Sequence, residues 1–187
     1  MTMDHRSAAR SEKKLIALLR LAYSGELAAA HAYRGHWKSV RDPGERDAIR
    51  TIEEEEWKHR REVGELLVRL GSGPSKPRDL FMGILGRALG FACHFSGWFF
   101  PMYGAGRLET KNVHEYDDAA RYAEDSGHHD MVAGLRAMSA LEHEHELYFA
   151  AAVARHALGR IFRLQLSSAS AAAAASAASP GEPGRRV

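Results

Sequence analysis

Two Glu-x-x-His words, Glu56-Trp-Lys-His59 and Glu142-His-Glu-His145, lie on stretches that otherwise read as amphipathic helices. Residues three apart share a helix face, so each word sets a carboxylate beside an imidazole. Their phase constrains the fold. The second helical region carries Ile49, Ile52, Glu56, His59, Val63, Leu66 and Leu70, in steps of three and four, the spacing of a buried stripe. The fourth region repeats it with Met131, Leu135, Met138, Glu142, His145, Phe149 and Val153. The first offers Leu15, Leu19, Ala22, Glu26, Ala29 (or Ala30), Tyr33 and Trp37, and the third Met102, Ala105, Glu109, Val113, Tyr116 and Ala120. In each helix a carboxylate stands where a leucine is expected.

An unpaired buried carboxylate costs several kcal/mol even after relaxation. Four in one core would exceed the roughly 5–15 kcal/mol of net stability that a domain has. Divalent cations neutralise them and use neutral histidines as further ligands. Two helices each giving Glu-x-x-His, with one Glu from each of two others, form the ligand set of a carboxylate-bridged dinuclear centre. The pattern predicts an all-α four-helix bundle with a dinuclear metal centre in its core, held by Glu26, Glu56, His59, Glu109, Glu142 and His145. Glu115 competes with Glu109, and seam phase favours Glu109. Two iron ions fit the mixed oxygen and imidazole set; ligand type leaves manganese and zinc open.

Taken alone, the run Glu53–Glu56 reads as a solvated face. The two Glu-x-x-His words together, both in phase with the core, carry the metal expectation. His31, His36, His128 and His129 have no seam carboxylate and are read as satisfied surface histidines, while His143 points away from the ligand face. Cys93 is read as a small buried hydrophobe.

Helical regions are expected over about Ser11–Ser39, Glu45–Leu70, Leu80–Asp125 (interrupted) and His128–Leu164. They are separated by Arg41-Asp-Pro-Gly44, by Gly71-Ser-Gly-Pro-Ser-Lys-Pro77 and by Ser126-Gly127. No sustained period-two alternation competes. Residues 1–10 are expected to be a flexible N-terminus, 11–166 one helical domain, and the Ala/Ser/Pro stretch 167–187 a disordered tail. A net charge of +2, with Lys and Arg scattered, demands no nucleic-acid partner. With Cys93 the sole cysteine no internal disulfide forms, which suits a reducing cytoplasm. No cleaved export signal is expected at the polar start.

Between Arg87 and Arg107 lie 19 residues without Asp, Glu, Lys or Arg, and 7 of the chain's 16 aromatics fall within Leu80–Gly106. That approaches the ~20 residues needed to cross a bilayer, but Gly90, His94, Gly97 and Pro101 make a poor spanning helix. The segment reads as a patch at a membrane surface, a wall of a greasy substrate channel or a homo-oligomer contact. The competing reading is a buried core helix kinked at Pro101.

From about Leu15 to Phe162 the chain resembles the demethoxyubiquinone hydroxylases, ferritin-like di-iron monooxygenases of quinone biosynthesis. The resemblance rests on Tyr23-Ser-Gly-Glu26 with Tyr33-Arg-Gly-His36, on Glu56-Trp-Lys-His59, and on Leu85-Gly-Arg-Ala-Leu-Gly90. Arg107-Leu-Glu109 followed by Tyr116, and Leu141-Glu-His-Glu-His145, complete it. It implies that Glu56 and Glu142 bridge two irons, with Glu26, His59, Glu109 and His145 as terminal ligands. It also implies that Tyr116 sits near the centre with a part in electron entry. The implied activity is O2-dependent hydroxylation of a quinone-type or other hydrophobic substrate. The expected location, from the lone cysteine and the polar start, is cytoplasmic; the membrane-patch reading of the apolar segment would put it peripherally on the inner face of the cell membrane. His36 stands where the family usually has Gln, Glu115 where a His commonly precedes the Tyr, and further helical chain is normally present after the fourth ligand helix. Two other functions remain open at this point, a rubrerythrin-like peroxidase or ferroxidase and a metal-stabilised interaction protein.

Overall fold

The computed structural model describes residues 2–162 and 164–167, all of them helix, turn or loop. Five helices follow one another: α1 (Thr2–Ser39), α2 (Pro43–Arg69), α3 (Lys76–Ala92), α4 (Phe99–Asp125) and α5 (His129–Arg155). A 3-10 turn at Ala157–Arg160 follows α5. Asp42 caps α2 by accepting from the Glu45 N–H at 2.9 Å, with Pro43 at the first helical position.

α1, α2, α4 and α5 form the bundle. One apolar cluster gathers Leu15, Leu19, Val63, Leu67, Leu135 and Met138; the other gathers Tyr33, Ile49, Met102, Phe149 and Val153. Along all four helices the ionisable seam residues fall between these clusters. The order in which each helix visits the clusters makes α1 parallel to α5 and α2 parallel to α4. The α2–α4 connection must therefore cross back along the bundle, as α3 does. Every seam residue named from the sequence is buried except Trp37 and Leu70, which are half-buried.

Four boundaries differ from expectation. The segment 1–10, expected to be flexible, is helical from Thr2, because Arg6, Ala8, Ala9 and Arg10 are good helix formers. The third region is interrupted as expected, into two helices, but begins at Lys76 and not at Leu80. Gly97, at φ 74°, ends the turn after α3, and Pro101 falls in the first turn of α4, where its missing N–H costs nothing. The fourth helix ends at Arg155, not near Leu164, because His156 goes extended and its Nδ1 accepts from the Leu158 N–H. Ser167, assigned to the tail, is buried: its N–H and Oγ both donate to Glu146, at 2.6 and 2.7 Å. The rest of that tail, 168–187, lies outside the described residues.

α3 lies parallel to α1 with backbone against backbone. A Cβ on Gly86 would sit 2.4 Å from the Ala28 carbonyl oxygen, and one on Gly90 2.7 Å from that of His31. Glycine thus brings the helices together, and the large side chains Leu80, Phe81, Ile84 and Phe91 face outward and are exposed. Trp98 and Phe99 turn inward instead, Trp98 donating to Glu45 at 2.6 Å. Among the described residues no helix is long and apolar enough to cross a membrane.

Gly86→Val is expected to lower stability by about 1–3 kcal/mol, because backbone rather than a flexible side chain must move. Gly104→Ala, on an exposed helix face with nothing within 4 Å of its Cβ, should instead raise it by about 0.5–1 kcal/mol. Thermal unfolding of both variants checks the pair of signs.

Candidate metal centre

Midway along the bundle the six seam residues come together. One ligand atom from each of Glu56, Glu109, Glu142 and His145 lies within 4.8 Å of the others, and Glu26, His59 and Glu142 form a second such group. Glu142 belongs to both. All six side chains are buried, and Glu56, Glu109 and Glu142 are fully so. Glu115 is not among them: it pairs with Lys111 at 2.6 Å, on the flank of α4.

The contacts around the cluster orient it. His59 Nδ1 meets Glu142 Oε1 at 2.9 Å. His145 turns Nε2 to the Glu55 carboxylate at 2.7 Å, leaving Nδ1 toward Glu56 and Glu142, at 3.8 and 3.6 Å. The Tyr116 hydroxyl donates to Glu26, and the Tyr33 hydroxyl donates to Glu109. Burial lifts both phenols well above their ordinary range, so both stay protonated as donors. Asn112 Nδ2 reaches Glu109 at 3.3 Å and Glu142 at 3.4 Å.

The electrostatics are those of an anionic cluster out of water. Burial raises the carboxyls of Glu26, Glu56 and Glu109, and the negative charge of Glu142 adds to the rise. Glu142 itself is held below the usual carboxylate range: burial opposes this, but the imidazoles of His145 and His59 outweigh it. Burial alone would lower those two histidines, and the Glu142 carboxylate raises them instead.

Hydrogen bonding among the described residues leaves a defined remainder. Both oxygens of Glu56, Oε2 of Glu26 and Nδ1 of His145 are buried without a hydrogen-bond partner. Such orphans are costly in a core. Convergent carboxylate oxygens and an imidazole nitrogen are the donors that a divalent cation takes up, so the site fits a metal ion.

Sequence reasoning missed three supporting residues. Tyr33 stood in the seam and in a quoted motif but had no assigned role. Asn112, three residues after Glu109, shares its face and carried a usable signal. Glu55 was hidden inside an acidic run that looks solvated. One expectation is corrected: His36 is no surface histidine but is buried against Tyr33 and Phe149, and burial pushes its pKa down to about 4. His128 pairs with Glu12, and His31 sits edge-on to Trp57.

No curated protein and no solved structure gives a significant match to the chain. A family model, described as Ubiquinone biosynthesis protein COQ7, matches residues 13–179. That span includes all six clustered residues, both tyrosines and the α3 crossover. The chain therefore belongs to the COQ7 family, hydroxylases of ubiquinone biosynthesis.

Proposed function

We propose that this chain is a di-iron carboxylate monooxygenase that uses O2 to hydroxylate a quinone-type ring. The observation that carries the metal part is the set of buried, unpartnered donor atoms on Glu56, Glu26 and His145. Glu142 and Glu56 would each serve both ions, and Glu26 with His59, and Glu109 with His145, would each hold one; the membership of Glu142 in both clustered groups supports this reading. An iron pair supplies two-electron chemistry with O2, and carboxylates suit it because they change binding mode as the metal charge changes. The protein's own part is to exclude water, to hold the ligands, and to keep Tyr116 against Glu26 as a route for an electron and its proton.

The hydroxylase reading is favoured over a peroxidase by a cavity of about 190 Å3 between α1, α3 and α4. Ala22, Gly25 and Ala29 form its floor, Leu85, Leu89 and Leu108 its apolar walls, and it reaches Glu26 and Asn112. Pockets that enclose a drug-sized ligand are roughly 300–1,000 Å3. This one is smaller and suits a single ring. A polyprenyl tail would then lie outside, along the exposed side chains of α3, which is also the face that would meet a lipid surface.

Gly25 offers a direct test, because it lines the cavity and a Cβ there meets no atom within 4 Å. Gly25→Leu should fold and bind metal normally yet lose hydroxylation of quinone substrates by tenfold or more, while turnover of peroxide is unchanged. Unimpaired quinone hydroxylation in that variant would rule out this cavity as the substrate site. Phe81→Ser with Phe91→Ser should weaken co-sedimentation with lipid vesicles and raise KM for a tailed quinone but not for a tail-less one.

The raised pKa values give a pH prediction. A group whose folded pKa exceeds its unfolded value stabilises the fold at low pH and loses that contribution as pH rises. Glu26, Glu56, Glu109, His59 and His145 all have that sign; Glu142 has the other, but titrates at more acidic pH. Metal-free protein should therefore lose thermal stability between about pH 5 and about pH 8. The stabilisation gained on adding Fe2+ or Mn2+ should grow over the same interval, because ligands bind deprotonated. Unfolding temperatures measured with and without metal at each pH test both slopes.

A further inference from the structure

The six ionisable residues resolve into two overlapping halves that share Glu142: Glu56, Glu109 and His145 on one side, Glu26 and His59 on the other. Each half has its own tyrosine. Tyr33, seven residues after Glu26 on α1, donates to Glu109 of α4. Tyr116, seven residues after Glu109 on α4, donates back to Glu26 of α1. Because α1 and α4 run antiparallel, the equal spacing relates the two pairs by an approximate two-fold axis.

The halves are nevertheless unequal, and the inequality lies in what each imidazole is doing. An ionised carboxylate only accepts, so the contact of His145 Nε2 with Glu55 places the proton of the neutral ring on Nε2. The lone pair then sits on Nδ1, turned to the cluster and without a hydrogen-bond partner among the described residues. His59 has no such freedom at Nδ1, which is engaged with Glu142 at 2.9 Å. A cation entering on the His59 side must displace that contact or reorganise around it.

The stacking around the tyrosines supports a preformed His145 side. The Tyr33 ring lies parallel to Phe149 at 5.8 Å and to His36 at 6.3 Å, which fixes its hydroxyl on Glu109. The Tyr116 ring meets His59 edge-on at 5.7 Å, so one side chain touches both terminal groups of the second half.

We propose that the two cation positions fill in order, the Glu56–Glu109–His145 half first and the Glu26–His59 half second. Tyr33 is the positioning residue of the first half and Tyr116 of the second. This rests on the dinuclear metal centre proposed above, and goes beyond it by separating the two ions.

The test is titration of metal-free protein with Co2+, followed by equilibrium dialysis and by the visible spectrum, which reports the coordination of each equivalent. Wild type should take up two ions in two steps. Tyr33→Phe should weaken the first step by about 10- to 100-fold and change the spectrum of the first equivalent, the usual cost of losing an outer hydrogen bond to a ligand. Tyr116→Phe should leave the first step and its spectrum unchanged and weaken the second by a similar factor. Glu55→Ala, at a partly exposed position outside the core, guards against a folding defect in the tyrosine variants; it should act on the first step alone. A Tyr116→Phe protein with a weakened first step, or a Glu55→Ala protein with an unaltered one, overturns the order while leaving the metal centre standing. Wild type that binds no Co2+ overturns the centre, and this inference with it.

Discussion

Mutual repulsion among four carboxylates, held together out of water, is the constraint on which the rest of this structure depends. Left alone, Glu26, Glu56, Glu109 and Glu142 are a charge cluster that a core of this size does not tolerate in ionised form. Hydrogen bonds from Tyr33, Tyr116, Asn112 and His59 compensate part of it. They leave the Glu56 oxygens uncompensated. The apolar clusters on either side, one around Leu19 and Leu67 and the other around Ile49 and Phe149, keep water out and hold the helices at the spacing the cluster needs. The cluster costs stability as it stands, and whatever a cation contributed on binding there would become part of the folding free energy.

The crossover follows from the directions of the helices that carry the cluster. An up-down-up-down bundle would run α2 and α4 in opposite directions, but here they are parallel, so the chain must return along the bundle between them. α3 makes that return, and its glycines let it lie so close to α1 that its large side chains have nowhere to go but outward. The small residues of α1 beneath it leave the cavity that ends at Glu26. One segment thus closes the topology, walls this cavity and presents an apolar outer face.

Much of this was legible in the sequence for a specific physical reason. A carboxylate in seam phase contradicts its surroundings, and contradictions of that kind are visible without coordinates. Hence the bundle and the convergence of all six residues could be anticipated from spacing. What stayed hidden depended on distance across the fold. Nothing local in Tyr33-Arg-Gly-His36 says that the tyrosine reaches Glu109 on another helix, or that His36 is enclosed by Phe149. Glu55 looked solvated because its partner, His145, lies 90 residues away. The outward face of α3 was misassigned in part, since Trp98 and Phe99 lie beyond the Gly97 turn and face inward. Helix ends at Thr2 and Arg155 were set by propensity and by a capping imidazole, both too weak to fix a boundary from sequence.

The central claim, that these buried acids exist to hold a pair of cations, is met most directly by anomalous X-ray diffraction from crystals of the iron-loaded protein. Two peaks flanking Glu142, one against Glu109 and His145 and the other against Glu26 and His59, are the result this account predicts. A bundle whose core shows no anomalous density after loading, or iron bound only at surface histidines, would contradict it.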